Sequence, residues 1–344
     1  MTAFVIFCIE SFFPGTFVPL LPGARPGKGY TDLNYIIHAS LFSVKYGRRF
    51  FGFPRARGLQ KGGGLCYTGE EENGDKTGGT TDMISERDVF SMMEGFGVPR
   101  TAKVTVRASI KSIGGIEGGA DGLIDALKNY LSDGLLLVPT HTWATVTPAN
   151  PVYDVRRTPP CIGTLADAAA FRRDGFRSLH PTHSMTGFGR EAESYLAGEE
   201  NAKTPTPVGG ALSRLVEEDG YVLLIGVGME QNTFLCAVDE MAEVPFPGHL
   251  SRDPFDIQIY DYAGRRTLDR GYRAHDNAGG SRGFPKFNRA FRETGATTPG
   301  TLGEATVILG SCPLMADVMG RVLARADHDP LLSNEEITED LYLD

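Results

Sequence analysis

From residue 85 onward the chain alternates amphipathic segments with short, uninterrupted apolar runs, and this alternation constrains the fold more than any other feature. The runs are AKVTVRAS, GLLLVPTHTW, YVLLIGVG and GEATVILGSC. Around them stand SERDVFSMMEGFGV, GADGLIDALKNYL, LADAAAFRRD, GALSRLVEEDG and PLMADVMGRVLARA. A strand that is apolar on both sides has to be covered on both sides, and helices between strands supply the cover. The expected fold is therefore α/β, a mostly parallel sheet sandwiched by helices (α/β/α). The first helix shows how such segments are bounded: Ser85 stands as N-cap, Asp88 at the capping-box position, apolar residues at 89, 92, 93 and 96, and Gly97 as the stop.

Upstream the pattern fails. Residues 61–80, KGGGLCYTGEEENGDKTGGT, hold seven glycines and almost no aliphatic residue, which cannot offset the entropy of backbone ordering. Three segments are expected: a poorly ordered N-terminal extension over 1–60, a Gly-rich linker over 61–84 and one domain over 85–344. The apolar start, MTAFVIFCIESFFPGTFVPLLPGARPG, lacks a basic flank and is interrupted by Glu10, Pro14 and Pro19, so neither a signal peptide nor a spanning helix is expected. The five cysteines show no CxxC spacing, which suits a reducing, cytoplasmic setting. Of the net charge of −9, residues 85–344 carry the acidic part, with twenty-five Lys and Arg against thirty-six Asp and Glu. That balance argues against nucleic acid as a partner and suits a cationic small molecule; no membrane partner is expected.

In sheets of this kind ligands sit at the carboxyl ends of strands, and four such ends carry unusual residues. After AKVTV come Ser109, Lys111, Ser112 and a glycine-rich turn with Gly114, Gly118 and Gly119, where close backbone approach, a helix start and one lysine suit an anionic cosubstrate. A purely structural turn fits the same residues, since neither GxxxxGK[ST] nor GxGxxG is present. After GLLLV come Thr140, His141, Thr142 and the only tryptophan, Trp143, which stacks on a ligand or packs in the core.

The third end is RSLHPTHSMTGFG, with His180 and His183 on either side of a proline and Ser184 next to them. Pro181 disrupts a regular helix and no ExxH or HExxH partner follows, so no metal is expected. An imidazole titrates near neutral pH and suits general-base work if another group orients its second nitrogen; a capped structural histidine is the bland alternative. The fourth end, YVLLIGVGMEQNTFLCAVDEM, runs into Asp239 and Glu240, candidates for that orienting acid or for an ordinary solvated helix face.

Taken in order, VTVRASIKSIGGIEGGADGLIDAL, LLLVPTHTW, RSLHPTHSMTGFG and LLIGVGMEQNTFLCAVDE resemble the aminoglycoside 3-N-acetyltransferase family over about residues 85–335. The resemblance implies an α/β/α fold and direct acetyl transfer from acetyl-CoA to an amine, without a metal. It implies acetyl-CoA at Ser109, Lys111, Ser112, Gly114, Gly118 and Gly119, and a catalytic base at His180 oriented by Asp239, with Glu240 second. Thr140, Trp143, His183 and Ser184 are then expected in the pocket or at the oxyanion. Two departures stand out: Arg107 where the family pattern has histidine, and Cys236 with Asp239 where it has histidine and glutamate. The alternatives are acylation of an amine that is not an aminoglycoside, or a member that binds CoA without turnover.

Overall fold

The computed structural model describes residues 83–242, 249–276 and 280–343, all within the unit Thr77–Asp344. The expected extension, and the linker up to residue 82, lie outside the described residues. Ile84 already belongs to the domain: its N–H donates to the Gly115 carbonyl at 3.0 Å and its carbonyl accepts from the Glu117 N–H at 2.9 Å.

Strands β1 (Lys103–Ala108), β2 (Leu135–Pro139), β4 (Phe176–Arg177), β5 (Met185–Phe188), β6 (Tyr221–Ile225), β9 (Thr297–Leu302) and β10 (Ala305–Ser311) form a seven-stranded sheet in the order β4-β5-β2-β1-β6-β10-β9. Strands β3 (Val152–Asp154), β7 (Phe255–Tyr260) and β8 (Arg266–Tyr272) form a second, three-stranded sheet in the order β3-β7-β8. The helices are α1 (Glu86–Gly95), α2 (Gly119–Tyr130), α3 (Thr164–Ala170), α4 (Ala192–Leu196), α5 (Ala211–Glu217), α6 (Phe234–Met241), α7 (Asn288–Glu293), α8 (Cys312–Arg325) and α9 (Glu339–Tyr342).

The helix-flanked α/β architecture is as expected, and the sheet is mixed. Its three central strands, β2, β1 and β6, are parallel, because helical crossovers connect them. The flanks are antiparallel, where β4 returns into β5 and β9 turns directly into β10. Side chains alternate across the sheet, so Val104, Val106, Leu136, Val138, Leu223, Ile225, Val307 and Leu309 join one buried core with α1 and α2. The alternate residues Leu135, Leu137, Val222 and Leu224 are equally buried on the other face of the sheet, and α5, α6 and α8 pack on one another. Asp88 closes the first helix as expected, accepting from the Ser85 N–H at 2.8 Å and the Ser85 hydroxyl at 2.7 Å.

One buried cation ties the strand ends together. Arg177, at the end of β4, is 1% exposed. Its Nη1 donates to the Thr158 carbonyl at 2.8 Å and its Nη2 to the Thr140 carbonyl at 3.1 Å. Its Nε lies 3.3 Å from both the Thr140 and Ser184 hydroxyls. The guanidinium also sits over the rings of Tyr153 and Phe171, at 5.5 and 5.3 Å from their centroids. Removing it strands several buried carbonyls, each worth about 1–3 kcal/mol when left without a donor. Arg177→Ala is expected to lower unfolding stability by about 3 kcal/mol or more in urea denaturation; a loss under about 1 kcal/mol would show that the strand ends hold without it.

Candidate functional site

The antiparallel register of β2 and β5 builds the first wall of the site. Leu136 pairs with Phe188 and Pro139 with Met185. The pairing continues past the strands, since the Thr140 N–H donates to the Ser184 carbonyl and the Thr142 N–H to the Thr182 carbonyl, both at 2.8 Å. His141 therefore stands opposite His183, with ring centroids 4.5 Å apart. Because side chains alternate, Thr140 and Ser184 point the other way, into the Arg177 cluster, with the Ser184 hydroxyl donating to the Thr140 carbonyl at 2.7 Å. Both are fully buried and neither lines the cavity. This corrects the expectation that they contact substrate or an oxyanion.

The cavity, of about 950 Å³, opens at the carboxyl ends of β1, β2 and β6. Arg107, His141 and Trp143 line it from the strand ends, and Cys236, Asp239 and Glu240 from α6. The spacing of those three, i, i+3 and i+4, puts them on one helix face. The small sheet closes the opposite side with Phe255, Tyr272 and His275. Trp143 lines the cavity and is 51% exposed, which removes core packing as its role.

The two histidines of RSLHPTHSMTGFG separate. His183 lines the cavity, with Nδ1 2.9 Å from the Thr182 hydroxyl, which in turn bonds the Tyr272 hydroxyl. Among the described residues no hydrogen bond reaches its Nε2. His275 faces it at 5.0 Å between ring centroids. Burial first, and then the neighbouring imidazoles of His141, His275 and His180, hold the His183 pKa well below the ordinary 6.5, so the ring is neutral. His180 lies behind it and does not line the cavity. One of its ring nitrogens, Nε2, is 3.1 Å from the Thr204 carbonyl. The other, Nδ1, accepts backbone N–H groups of Thr182 and His183 at 3.3 and 3.0 Å. Burial lowers its pKa to about 4. A histidine with both nitrogens taken by backbone shapes the turn and offers no lone pair to a substrate.

Asp239 and Glu240 line the cavity but do not orient His180. The Asp239 carboxylate is 2.5 Å from His249 Nδ1, while Asp329, beyond α8, stands 3.0 Å from His249 Nε2. Hydrogen bonding to Asp239 is the largest cause that raises the His249 pKa to about 9. Glu240 accepts from the Thr204 hydroxyl at 2.5 Å, the Thr206 N–H at 2.8 Å and the Thr206 hydroxyl at 2.6 Å. Burial nevertheless moves its pKa up. Its link to His180 runs only through Thr204, so the short path expected between acid and imidazole is absent.

The glycine-rich turn after β1 does not line this cavity. Ser112 donates to the Ser109 hydroxyl at 2.7 Å, closing a short 3-10 turn over Ile110–Ile113. Gly114, Gly118 and Gly119 have φ of 87°, 70° and 60°, backbone that side chains rarely adopt. Lys111 is exposed on this turn. Gly226, at the end of β6, packs on it so closely that an added Cβ would meet the Ser112 Cβ at 2.5 Å.

Sequence reasoning missed His249, His275 and Tyr272, and gave no role to His141. For His141 the available signal was its place directly after the apolar run GLLLV, at a strand end. Among the described residues no group of three or more His, Cys, Asp or Glu side chains is arranged to hold a metal ion, and no helix is long and apolar enough to cross a membrane.

A family model described as aminoglycoside 3-N-acetyltransferase matches residues 105–324. Aminoglycoside N(3)-acetyltransferase IV of Salmonella sp is 29% identical over 160 residues, 46% of this chain and 60% of that protein. Aminoglycoside N(3)-acetyltransferase III of Serratia marcescens is 28% identical over 180 residues, 47% of this chain and 66% of that protein. The chain thus spans less than two thirds of the length of these relatives. Among solved structures, aminoglycoside acetyltransferase AAC(3)-IVa, a histidine-to-alanine variant in complex with a gentamicin, is 25% identical with a TM-score of 0.57, covering 68% of this chain and 86% of that one. A binary complex of AAC-IIIb with CoASH has a TM-score of 0.60 at 17% identity, covers 72% of this chain and 100% of that one, and shares the fold.

The Asp239–His249–Asp329 arrangement carries a sign for stability. His249, with its pKa raised from 6.5 to about 9, stabilises the fold fully below pH 6.5 and loses that contribution as pH rises through 9. The wild-type melting temperature is expected to fall more steeply between pH 6.5 and 9 than that of His249→Gln. Parallel declines in the two proteins would remove the arrangement as a source of stability.

Proposed function

We propose, for a chain that belongs to the aminoglycoside 3-N-acetyltransferase family, acetyl-CoA-dependent N-acetylation of an amino group of an aminoglycoside or a related amine. The observation that carries this reading is a neutral imidazole, His183, on the wall of a strand-end cavity, with a ring nitrogen that no described residue occupies.

A sugar ammonium is mostly protonated at pH 7 and is then no nucleophile. In the proposed reaction His183 Nε2 takes one of its protons. For this the ring carries its own proton on Nδ1, donated to the Thr182 hydroxyl, and Tyr272 behind Thr182 fixes that hydroxyl. The freed nitrogen pair attacks the thioester carbonyl of acetyl-CoA, the C–N bond forms, the C–S bond breaks, and CoA leaves as a thiolate that takes the second proton the acylated nitrogen gives up on becoming an amide. The base role thus shifts from His180, whose part is to hold the turn in shape, to His183. Asp239 and Glu240 become pocket groups, Trp143 a face against which the acceptor stacks.

The proposed acetyl-CoA site is Ser109, Lys111, Ser112, Gly114, Gly118 and Gly119. Support comes from the left-handed glycines, which open the backbone, the exposed lysine on the turn, and the start of α2 next to it. The two serine hydroxyls bond each other, so their part is to set the shape of the turn.

A thioester-release assay with aminoglycosides, amino sugars and simple amines is expected to detect free CoA with at least one acceptor. Silence across the whole panel, with acetyl-CoA still bound, would sink the reading in favour of binding without turnover. His183→Ala is expected to lose about a hundredfold in kcat, the usual worth of a general base, with acetyl-CoA affinity kept. Turnover within about threefold of wild type would remove His183 from the role.

A further inference from the structure

We infer that the acceptor is an amine that also carries an anionic oxygen group, and that Arg107 is the residue that selects it. The inference rests on the acetyl-transfer reading above and narrows its acceptor.

Arg107 ends β1 on the cavity wall. Its Nη2 donates to the Gln231 side-chain carbonyl at 2.8 Å and its Nη1 to the Ile162 carbonyl at 3.3 Å, both neutral partners. Its Nε is buried with no partner among the described residues, and no described carboxylate forms an ion pair with it. The chain has acids in excess, 43 against 34 basic residues, and elsewhere it uses them: Arg172 alone pairs with Asp121, Asp125 and Asp174. A guanidinium left with neutral partners on a cavity wall keeps its charge for whatever enters.

The surroundings agree. His141, whose pKa is depressed first by burial and then by the nearby Arg107 charge, has a buried Nε2 without a partner among the described residues. Arg282 adds a second guanidinium to the lining. The two acids expected to receive a polycationic acceptor are engaged: Asp239 faces the His249 imidazolium, and Glu240 is held by Thr204 and Thr206. Glu230 and Asp276 are the other acids of the lining. With Arg107 and Arg282 on the lining, two of its four carboxylates engaged, and Glu230 and Asp276 left, the cavity has groups for both charges of a zwitterionic amine, which matches it better than an acceptor with several ammonium groups.

Acetyl-CoA also carries anionic oxygens, so the test separates the two sources. CoA release is measured with matched pairs, an amino sugar against its phosphate ester and an amino acid against its amide, alongside aminoglycosides. Wild-type protein is expected to give at least about tenfold higher kcat/KM with the anionic member of a pair, the worth of one charge-assisted hydrogen bond. Arg107→Gln is expected to lose that preference with an unchanged Kd for CoA, and Arg107→Lys, which keeps the charge, to retain part of it. Equal or better turnover of the uncharged or polycationic acceptors by wild type would overturn the inference. So would a preference that survives Arg107→Gln, or a Kd for CoA raised about tenfold, which would assign the anion to the cosubstrate. No CoA release with any amine is the failure of the acetyl-transfer reading itself; release without anionic preference is the failure of this inference alone.

Discussion

The wall of the site depends on the burial of a guanidinium, Arg177, that no described carboxylate neutralises. Carbonyls of Thr140 and Thr158 and hydroxyls of Thr140 and Ser184 solvate it. These acceptors come from the ends of β2 and β5 and from the segment after β3, so satisfying one cation requires all three to converge. A buried charge without its hydrogen bonds costs several kcal/mol, roughly, which makes that convergence strongly preferred. Thr140 and Ser184 face inward to serve the cation, and strict alternation then turns His141 and His183 outward to the cavity. The inward-facing polar residues and the outward-facing imidazoles are two sides of one constraint.

Imidazoles packed this closely influence one another. His183 lies 4.5 Å from His141 and 5.0 Å from His275 between ring centroids. Burial already opposes protonation, and a charge on any one ring opposes charge on the others. The cluster is therefore neutral near pH 7, the state a proton acceptor has to occupy before reaction. A depressed pKa would also let a protonated ring give its proton up easily to solvent, as the proposed reaction needs at the end of each cycle. His249 shows the opposite behaviour a short distance away: two carboxylates flank it and hold its proton.

The layered fold was legible because LLLVP and YVLLI are apolar at nearly every position, and only a sheet covered on both faces accommodates such runs. The small sheet was not. Val152–Asp154 is three residues long, its partner β7 comes much later in the chain, and RTLDRGY in β8 is mostly polar. Pocket residues carried on α6 and on the β2 loop, Asp239, Glu240 and Trp143, were readable from their place at strand ends. The different surroundings of His180 and His183 were not, because they turn on which nitrogen meets a backbone group, and the turn that supplies those groups forms only when β5 pairs with β2. The motifs pair Asp239 with His180, whereas its partner in the fold, His249, sits in a segment without periodicity, where spacing carries no information.

Arg107 and Cys236, two of the three positions at which the motifs depart from the pattern they resemble, belong to different elements, β1 and α6, yet both line the same cavity. Neither touches the Arg177 cluster that fixes the wall, nor the Thr182–Tyr272 pair behind His183. Substitutions so placed change the charge and shape of the cavity while the Arg177 cluster and the Thr182–Tyr272 pair are unaltered. In the proposed reaction, selection of the acceptor and transfer of the proton thus fall to separate residues on one scaffold.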